Sequence, residues 1–341
     1  MMVEVKHTRV LFIHGVSDDV LEYLKSGLRG LEVEFLVPSE ENGCEMNELL
    51  PKADILIGWG SNMDMLERAK KMKLFINPGT GIGQHIENFK SIDSSREVVL
   101  VNGHGNSYAV AQHTVALMMA LSNKIISHHE RMLKGEKRQS SPQTIYLKNK
   151  TVGFLGYGAI NSKVHQFLKG FDIDFVVCRK NLITNSSSLG LREQYSVENL
   201  IEFFDASDIV INALPDTRET RELINQECFN ALGSKGLFLN VGRGATVRQE
   251  DLYLSLRDCL IAGAAIEVWW ERLREGGRPN PNRNDPYGYP FHELDNIVMS
   301  PHRGADSGGD LDRWNEVIEN IQRYHRGSKD FLNRVDLEAE Y

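Results

Sequence analysis

The sequence predicts an α/β protein of two parallel-sheet domains, and three observations carry that prediction. Strand-length apolar runs alternate with helical stretches, a strand passes abruptly into a helix through Gly156 and Gly158, and 341 residues suffice for two separate cores. Strands are expected at Arg9 to Ile13, Val33 to Val37, Ile55 to Gly58, Leu74 to Asn77 and Val98 to Val101, with helices at Asp18 to Ser26 and Met63 to Met72. Ser107 to Ile126 is predicted as one long helix, apolar over most of its surface. Such a helix must be covered on several sides, by both domains or by a partner chain, so a homodimer is expected. Thr151 to Leu155 then forms a strand, Ser162 to Phe171 a helix and Phe175 to Cys178 the strand that closes a βαβ unit. Further strands are expected at Ile209 to Ala213, Leu237 to Val241, Ala262 to Val268 and Ile297 to Met299.

These strands complete a second domain over residues 104–305, inserted between 1–103 and 306–341 of the first. The closing helix, Asp310 to Arg326, lacks a sheet of its own and is assigned to the first domain. The length of Gly276 to Pro290 suggests a mobile surface loop or a substrate lid, and its Pro, Gly and Asn-rich composition favours the surface loop.

Apolar and charged fractions of 41% and 25% are those of a globular protein. A net charge of −8 argues against a nucleic-acid binder, which needs a basic face. Cys44, Cys178, Cys228 and Cys259 form no C-x-x-C pair, so they are expected as buried thiols rather than metal ligands or disulfides. The apolar run Val10 to Ile13 is too short for a signal segment or a membrane span, and a cytoplasmic location is expected.

In Thr151 to Asn161, TVGFLGYGAIN, Gly156 suits the tight turn and Gly158 lets backbone approach a pyrophosphate resting on the helix N-terminus. Tyr157, Ala159 and Ile160 complete the turn, and Asn161 stands at the third position of the glycine fingerprint. Where the next strand ends, a carboxylate would bond the 2′-hydroxyl of NAD, but this chain has Arg179 and Lys180. NADP is therefore the expected cofactor, with NAD as the alternative. Ligands of open α/β sheets bind at carboxyl ends of strands, which directs attention to Gly242-Arg243-Gly244 and to Ser300-Pro301-His302-Arg303-Gly304. Arg243 is a permanent cation with a planar fork that matches a carboxylate and a carbonyl oxygen, and His302 exchanges a proton near neutral pH.

Several ordered segments together resemble the D-isomer specific 2-hydroxyacid dehydrogenases over nearly the whole chain. Leu214-Pro215-Asp216-Thr217-Arg218-Glu219-Thr220-Arg221-Glu222-Leu223-Ile224-Asn225 is similar to that family's segment over the cofactor, Asn240-Val241-Gly242-Arg243-Gly244 to its arginine motif and Ser300-Pro301-His302 to its histidine motif. Residues 102–112 resemble the entry to its interdomain helix, with Gln112 where a Glu is usual.

The resemblance implies two Rossmann-like parallel-sheet domains, a flavodoxin-like substrate domain with an inserted dinucleotide-binding domain. It implies hydride transfer between NADP(H) or NAD(H) and a small 2-oxo acid such as glyoxylate or hydroxypyruvate. Arg243 would bind the carboxylate and polarise the carbonyl, and His302 would protonate the alkoxide. Thr80, Gly81, Ile82 and Gly83 would offer backbone N–H groups to the substrate, and Leu214, Pro215, Thr220, Val241, Gly242 and Glu267 would line the cofactor.

One departure stands out. Family members carry an Asp at the position of Glu267 and, five residues on, a Glu that holds the histidine charged. Here Arg272 occupies that place, and an arginine beside His302 would disfavour the imidazolium. Either Glu271 serves through a local shift, or His302 acts without that partner. The departure also motivates a second reading, a cofactor-sensing binding protein of the same fold with little or no turnover.

Overall fold

The computed structural model describes residues 7–39, 43–92, 96–136, 143–184, 186–270, 288–306, 308 and 311–341. The chain divides into two compact units, residues 1–106 with 307–341, and residues 107–306.

In chain order, the first unit contains β1 (Thr8–Phe12), α1 (Asp18–Gly27), β2 (Val33–Leu36), α2 (Gly43–Leu49), β3 (Ile55–Ile57), α3 (Met63–Arg68), β4 (Leu74–Asn77), α4 (Gly83–Lys90) and β5 (Val99–Asn102). The second contains α5 (Ser107–Ser122), α6 (Ile125–Leu133), β6 (Thr151–Leu155), α7 (Ala159–Leu168), β7 (Asp174–Cys178), β8 (Glu193–Tyr195), α8 (Leu200–Asp205), β9 (Ile209–Asn212), α9 (Gln226–Leu232), β10 (Leu237–Asn240), α10 (Gln249–Arg257), β11 (Gly263–Ile266) and β12 (Ile297–Met299). The chain then returns to the first unit with α11 (Asn315–His325).

The first unit's sheet is parallel, in the order β2-β1-β3-β4-β5. Alternation along its strands sends Val10, Phe12 and Ile76 into one core with Leu24 of α1 and Val317 and Ile321 of α11, and Leu11, Leu56 and Phe75 into another with Met65, Leu66, Ile86 and Phe89. Both faces are covered over the middle of the sheet, which is why β3 and β4 read as apolar runs, whereas the edge strand β2 carries Glu34.

The second unit's sheet is also parallel, β12-β11-β10-β9-β6-β7-β8. One face packs against α5 and α7 through Val110, Leu117, Leu121, Val164 and Leu168, the other against α8, α9 and α10 through Phe203, Phe204, Phe229 and Leu252. Strand order reverses on either side of β6, so the crevice between β6 and β9 is the switch point where open sheets of this kind take ligands.

Three expectations are corrected. The helix predicted over Ser107 to Ile126 ends at Ser122, because Lys124 takes a left-handed backbone (φ 55°) and starts α6 in a new direction. The helix over Met63 to Met72 stops at Arg68, where Ala69 leaves helical geometry at ψ 58°. Cys178 and Cys228 are buried, but Cys259 is exposed, since it sits at φ 54° in the turn that follows α10. The Cys44 side chain and residues 276–287 of the Pro-rich segment lie outside the described residues. Among the described residues no helix is long and apolar enough to cross a membrane.

Candidate active site

β6 runs into Gly156, whose φ of +77° makes the tight turn, and a Cβ at that position would lie 3.2 Å from Leu214 Cδ2. The nucleotide turn is thus packed against the loop after β9, across the switch point. Gly158 precedes α7, no side chain caps the helix there, and the space a Cβ would take is open. The first N–H groups of α7, starting at Ala159 and Ile160, face that opening, which is the arrangement a pyrophosphate needs. The Tyr157 side chain turns back on its own helix, its hydroxyl 2.7 Å from His165 Nδ1. His165 is held neutral, its pKa pulled down to about 4 by burial and, secondarily, by Lys169. Asn161, in place of a third glycine, is buried, and its Nδ2 donates to the carbonyls of Gly156 at 2.6 Å and Ile211 at 3.2 Å. It therefore ties the turn to β9, which glycine could not do.

Arg179 and Lys180 follow β7, the first half-buried and the second exposed. Lys180 Nζ lies 2.7 Å from Glu219, within the segment similar to the family's cofactor cover. That segment is a closed turn: the Thr220 hydroxyl donates to the Pro215 carbonyl at 2.6 Å and accepts from the Thr217 amide at 2.9 Å. Leu214 N–H bonds Asn212 Oδ1 at 3.1 Å. The Val241 side chain is buried in the core beneath the sheet's edge rather than at the surface.

Arg243, Glu267 and His302 follow three adjacent strands, β10, β11 and β12. Arg243 and His302 stand two strand spacings apart, about 10 Å along the carboxyl edge. Gly242 is required by close approach, since a Cβ there would sit 2.6 Å from the Leu214 carbonyl oxygen. Arg243 is half-buried, and its Nη1 donates to the Gly242 carbonyl at 2.6 Å.

His302 is exposed and adopts φ 59°, a left-handed conformation that costs a non-glycine residue about 1 kcal/mol. Bonds on either side hold it there. Trp269 Nε1 donates to the Ser300 carbonyl at 2.9 Å, and Gly304 N–H donates to Glu267 Oε1 at 2.5 Å. Glu267 is buried, and its Oε2 lies 3.1 Å from His113 Nε2, which is also 2.9 Å from Ser300 Oγ. Trp270 stacks on Phe291 at an interplanar angle of 4° and bonds the Val247 carbonyl, so it belongs to the core. Glu271 and Arg272 lie outside the described residues.

In the first unit, Thr80, Gly81 and Ile82 link β4 to α4, which begins at Gly83. Asn77 Nδ2 donates to the carbonyls of Gly79 at 2.5 Å and Gly81 at 3.0 Å, and Asn102 Nδ2 to that of Thr80 at 2.9 Å. With those carbonyls turned inward, the amide N–H groups of Thr80, Gly81, Ile82 and Gly83 have no acceptor among the described residues, and together they suit a carboxylate. Behind them His85 is buried between Ser61 Oγ at 2.8 Å and Asn77 Oδ1 at 3.3 Å. Burial, then the charge of His14, lowers its pKa to about 4.

Sequence reasoning missed Asn77, Asn212, His85 and His113, and placed Asn102 and Asn240 in motifs without a role. The available signal was an asparagine closing four apolar strand runs, LFIN, VLVN, IVIN and LFLN.

Residues 115–304 match the family model described as the NAD binding domain of D-isomer specific 2-hydroxyacid dehydrogenases. The D-3-phosphoglycerate dehydrogenase of Archaeoglobus fulgidus is 26% identical over 309 residues, 88% of this chain but 54% of the relative. A similar enzyme of Methanocaldococcus jannaschii is matched over 49% of its length, so the chain spans about half of these two relatives. The glyoxylate reductase of Pyrococcus furiosus is 25% identical over 89% of this chain and 90% of its own. Among solved structures, a D-isomer specific 2-hydroxyacid dehydrogenase from Xanthobacter autotrophicus, bound to NADPH, shares the fold with a TM-score of 0.78, 22% identity and coverage of 98% of this chain and 100% of that one.

Proposed function

The chain belongs to the D-isomer specific 2-hydroxyacid dehydrogenase family, and from that premise we propose that it interconverts a small 2-oxo acid and its D-2-hydroxy acid, using NADP(H) or else NAD(H). The observation that carries this reading is the placement of Arg243 and His302 on one carboxyl edge of the sheet whose switch point bears the open glycine turn.

The turn's fit to a dinucleotide is supported by the uncapped α7 and by the open space at Gly158, and Arg179 and Lys180 favour a 2′-phosphate. When bound, the reduced nicotinamide supplies hydride to the carbonyl carbon. Arg243 holds the substrate carboxylate and draws electron density onto the carbonyl oxygen, stabilising the charge that develops there. His302 gives that oxygen its proton, and in the reverse direction takes the proton from the hydroxyl. The N–H groups of Thr80 to Gly83, in the first unit and without an acceptor among the described residues, are also suited to a carboxylate.

Glyoxylate and hydroxypyruvate are the first substrates to try, because reductases with those names are among the relatives. A cytoplasmic homodimer completes the reading, supported by the outward Ile125, Ile126, Met132 and Leu133 of α6. The test is loss of NADPH or NADH absorbance across a panel of 2-oxo acids, with His302→Ala as control. Turnover that the substitution abolishes supports the reading. Cofactor binding with no turnover across the panel overturns it in favour of the sensor.

A further inference from the structure

We propose that Glu267 and His113 are positioning residues that clamp the loop of His302 from its buried side; the proposal rests on His302 being the proton donor. Histidine enters the left-handed region more readily than most residues, yet φ 59° still carries a cost, and bonds on both sides of His302 offset it. Ser300 is anchored by its N–H to the Ile266 carbonyl at 2.8 Å, by its carbonyl to Trp269 Nε1 at 2.9 Å and by its Oγ to His113 Nε2 at 2.9 Å. On the other side of His302, the Gly304 N–H bonds Glu267 Oε1 at 2.5 Å.

Glu267 is therefore the central member. One carboxylate oxygen fastens the far end of the loop, while the other receives the His113 Nε2–H at 3.1 Å, and His113 is carried by α5, 154 residues away in sequence. Fit around Gly304 is close, since a Cβ there would lie 3.1 Å from both Glu267 Oε1 and His113 Cδ2. A carboxylate engaged in this way acts on His302 through the backbone. That differs from the role the resemblance implies, in which Glu267 lines the cofactor.

The experiment compares Glu267→Ala, Glu267→Gln and Glu267→Asp in the full chain, reading kcat, KM for the best 2-oxo acid, Kd for NADPH and hydrogen exchange at the Gly304 amide. Glu267→Ala is expected to release the Gly304 amide and to lower kcat about 100-fold, with KM and Kd changed by less than about 3-fold, because the general acid is displaced while the binding groups stay. Glutamine keeps an acceptor for Gly304 and is expected to restore kcat to within about 5-fold of wild type. Aspartate, about 1.5 Å too short, is expected to behave as alanine does. Should Glu267→Ala not fold, His113→Gln loosens the same clamp from α5 and is expected to cost about 10-fold in kcat at constant KM.

A raised Kd with unchanged kcat at saturating NADPH would make Glu267 a cofactor ligand and overturn the proposal. Turnover by the wild type, with Gly304 still protected in Glu267→Ala, would sink the clamp alone. No turnover by the wild type, with Gly304 released in the variant, would sink the catalytic reading and leave the clamp established.

Discussion

Each unit ends two neighbouring strands on asparagine, and the two pairs are used in opposite ways. Asn77 and Asn102 are register partners on β4 and β5, and Asn212 and Asn240 on β9 and β10; all four are buried. In the first unit both side-chain amides donate to carbonyls of the loop from Gly79 to Gly81, so the loop's own N–H groups are left facing outward. In the second unit the asparagine oxygens accept from Gly242 N–H at 3.2 Å and from Leu214 N–H at 3.1 Å, which uses those donors up inside. What the second loop presents instead is a side chain, that of Arg243, whose carbonyl is fixed by Asn240 Nδ2 at 3.2 Å and Thr246 Oγ1 at 2.7 Å. The contrast lies in the loop amides: those of the first loop have no acceptor among the described residues, whereas Leu214 and Gly242 give theirs to asparagine oxygens, even though Asn240 donates to its loop as well.

The sharpest way to break that contrast is to truncate side chains on both loops. Arg243→Ala is expected to lower kcat/KM by about 1,000-fold, the scale for removing a group that stabilises developing charge. Thr80→Ala, which leaves every backbone N–H in place, is expected to stay within about 3-fold of wild type. Comparable losses from the two substitutions in steady-state kinetics would show that the first loop, too, binds through its side chain.

Next in size is the removal of the inner support. Asn77→Leu matches the shape but removes one of two donors from each of the Gly79 and Gly81 carbonyls, which keep Gly103 N–H at 3.1 Å and Gln84 Nε2 at 3.2 Å, and takes the Oδ1 partner from buried His85, so it is expected to destabilise the protein by about 1–2 kcal/mol in denaturant unfolding, with KM raised. An unchanged midpoint would mean that Gly103 N–H and Gln84 Nε2 suffice for those carbonyls and that the asparagine does not shape the loop.

The sheets and the nucleotide turn were legible because their causes are local. Apolar runs of strand length mark the strands, and only glycine suits Gly156 at φ +77°. The asparagine pairs were not legible, since they depend on which strands become neighbours and in what register: Asn212 and Asn240 meet at 3.0 Å across 28 residues. The left-handed backbone of His302 was not legible, because histidine takes that conformation only occasionally and the bonds that flank it, from Trp269 and to Glu267, come from distant residues. The end of α5 was obscured because apolar Ile125 and Ile126 resume immediately after the polar break at Asn123 and Lys124.

Behind each of the two glycine loops lies one buried, neutral histidine, His85 on α4 and His165 on α7, both with pKa lowered to about 4. Below pH 6.5 the unfolded chain binds protons that the folded chain refuses, so stability is whole above that pH and drains as pH falls toward 4. Between pH 7 and pH 5 His85 and His165 are each expected to withdraw about 2 kcal/mol. Unfolding of His85→Gln at the two pH values should show that much less acid sensitivity than wild type. An equal slope would place the acid lability elsewhere.

The smallest effect concerns Lys180 and Glu219, the ion pair that joins the end of β7 to the turn after β9. Both side chains are more than half exposed, at 53% and 69%, so their attraction is screened and worth under about 1 kcal/mol. Glu219→Gln would nevertheless release the ammonium toward a 2′-phosphate and lessen the negative charge facing it. NADPH should bind about 3-fold more tightly, NADH should be unaffected, and the gain should shrink at 1 M salt, where the Debye length is about 3 Å. Fluorescence titrations at low and high salt would measure it. Equal tightening for both nucleotides would place the 2′ position away from Lys180 and leave Arg179 as the discriminating cation.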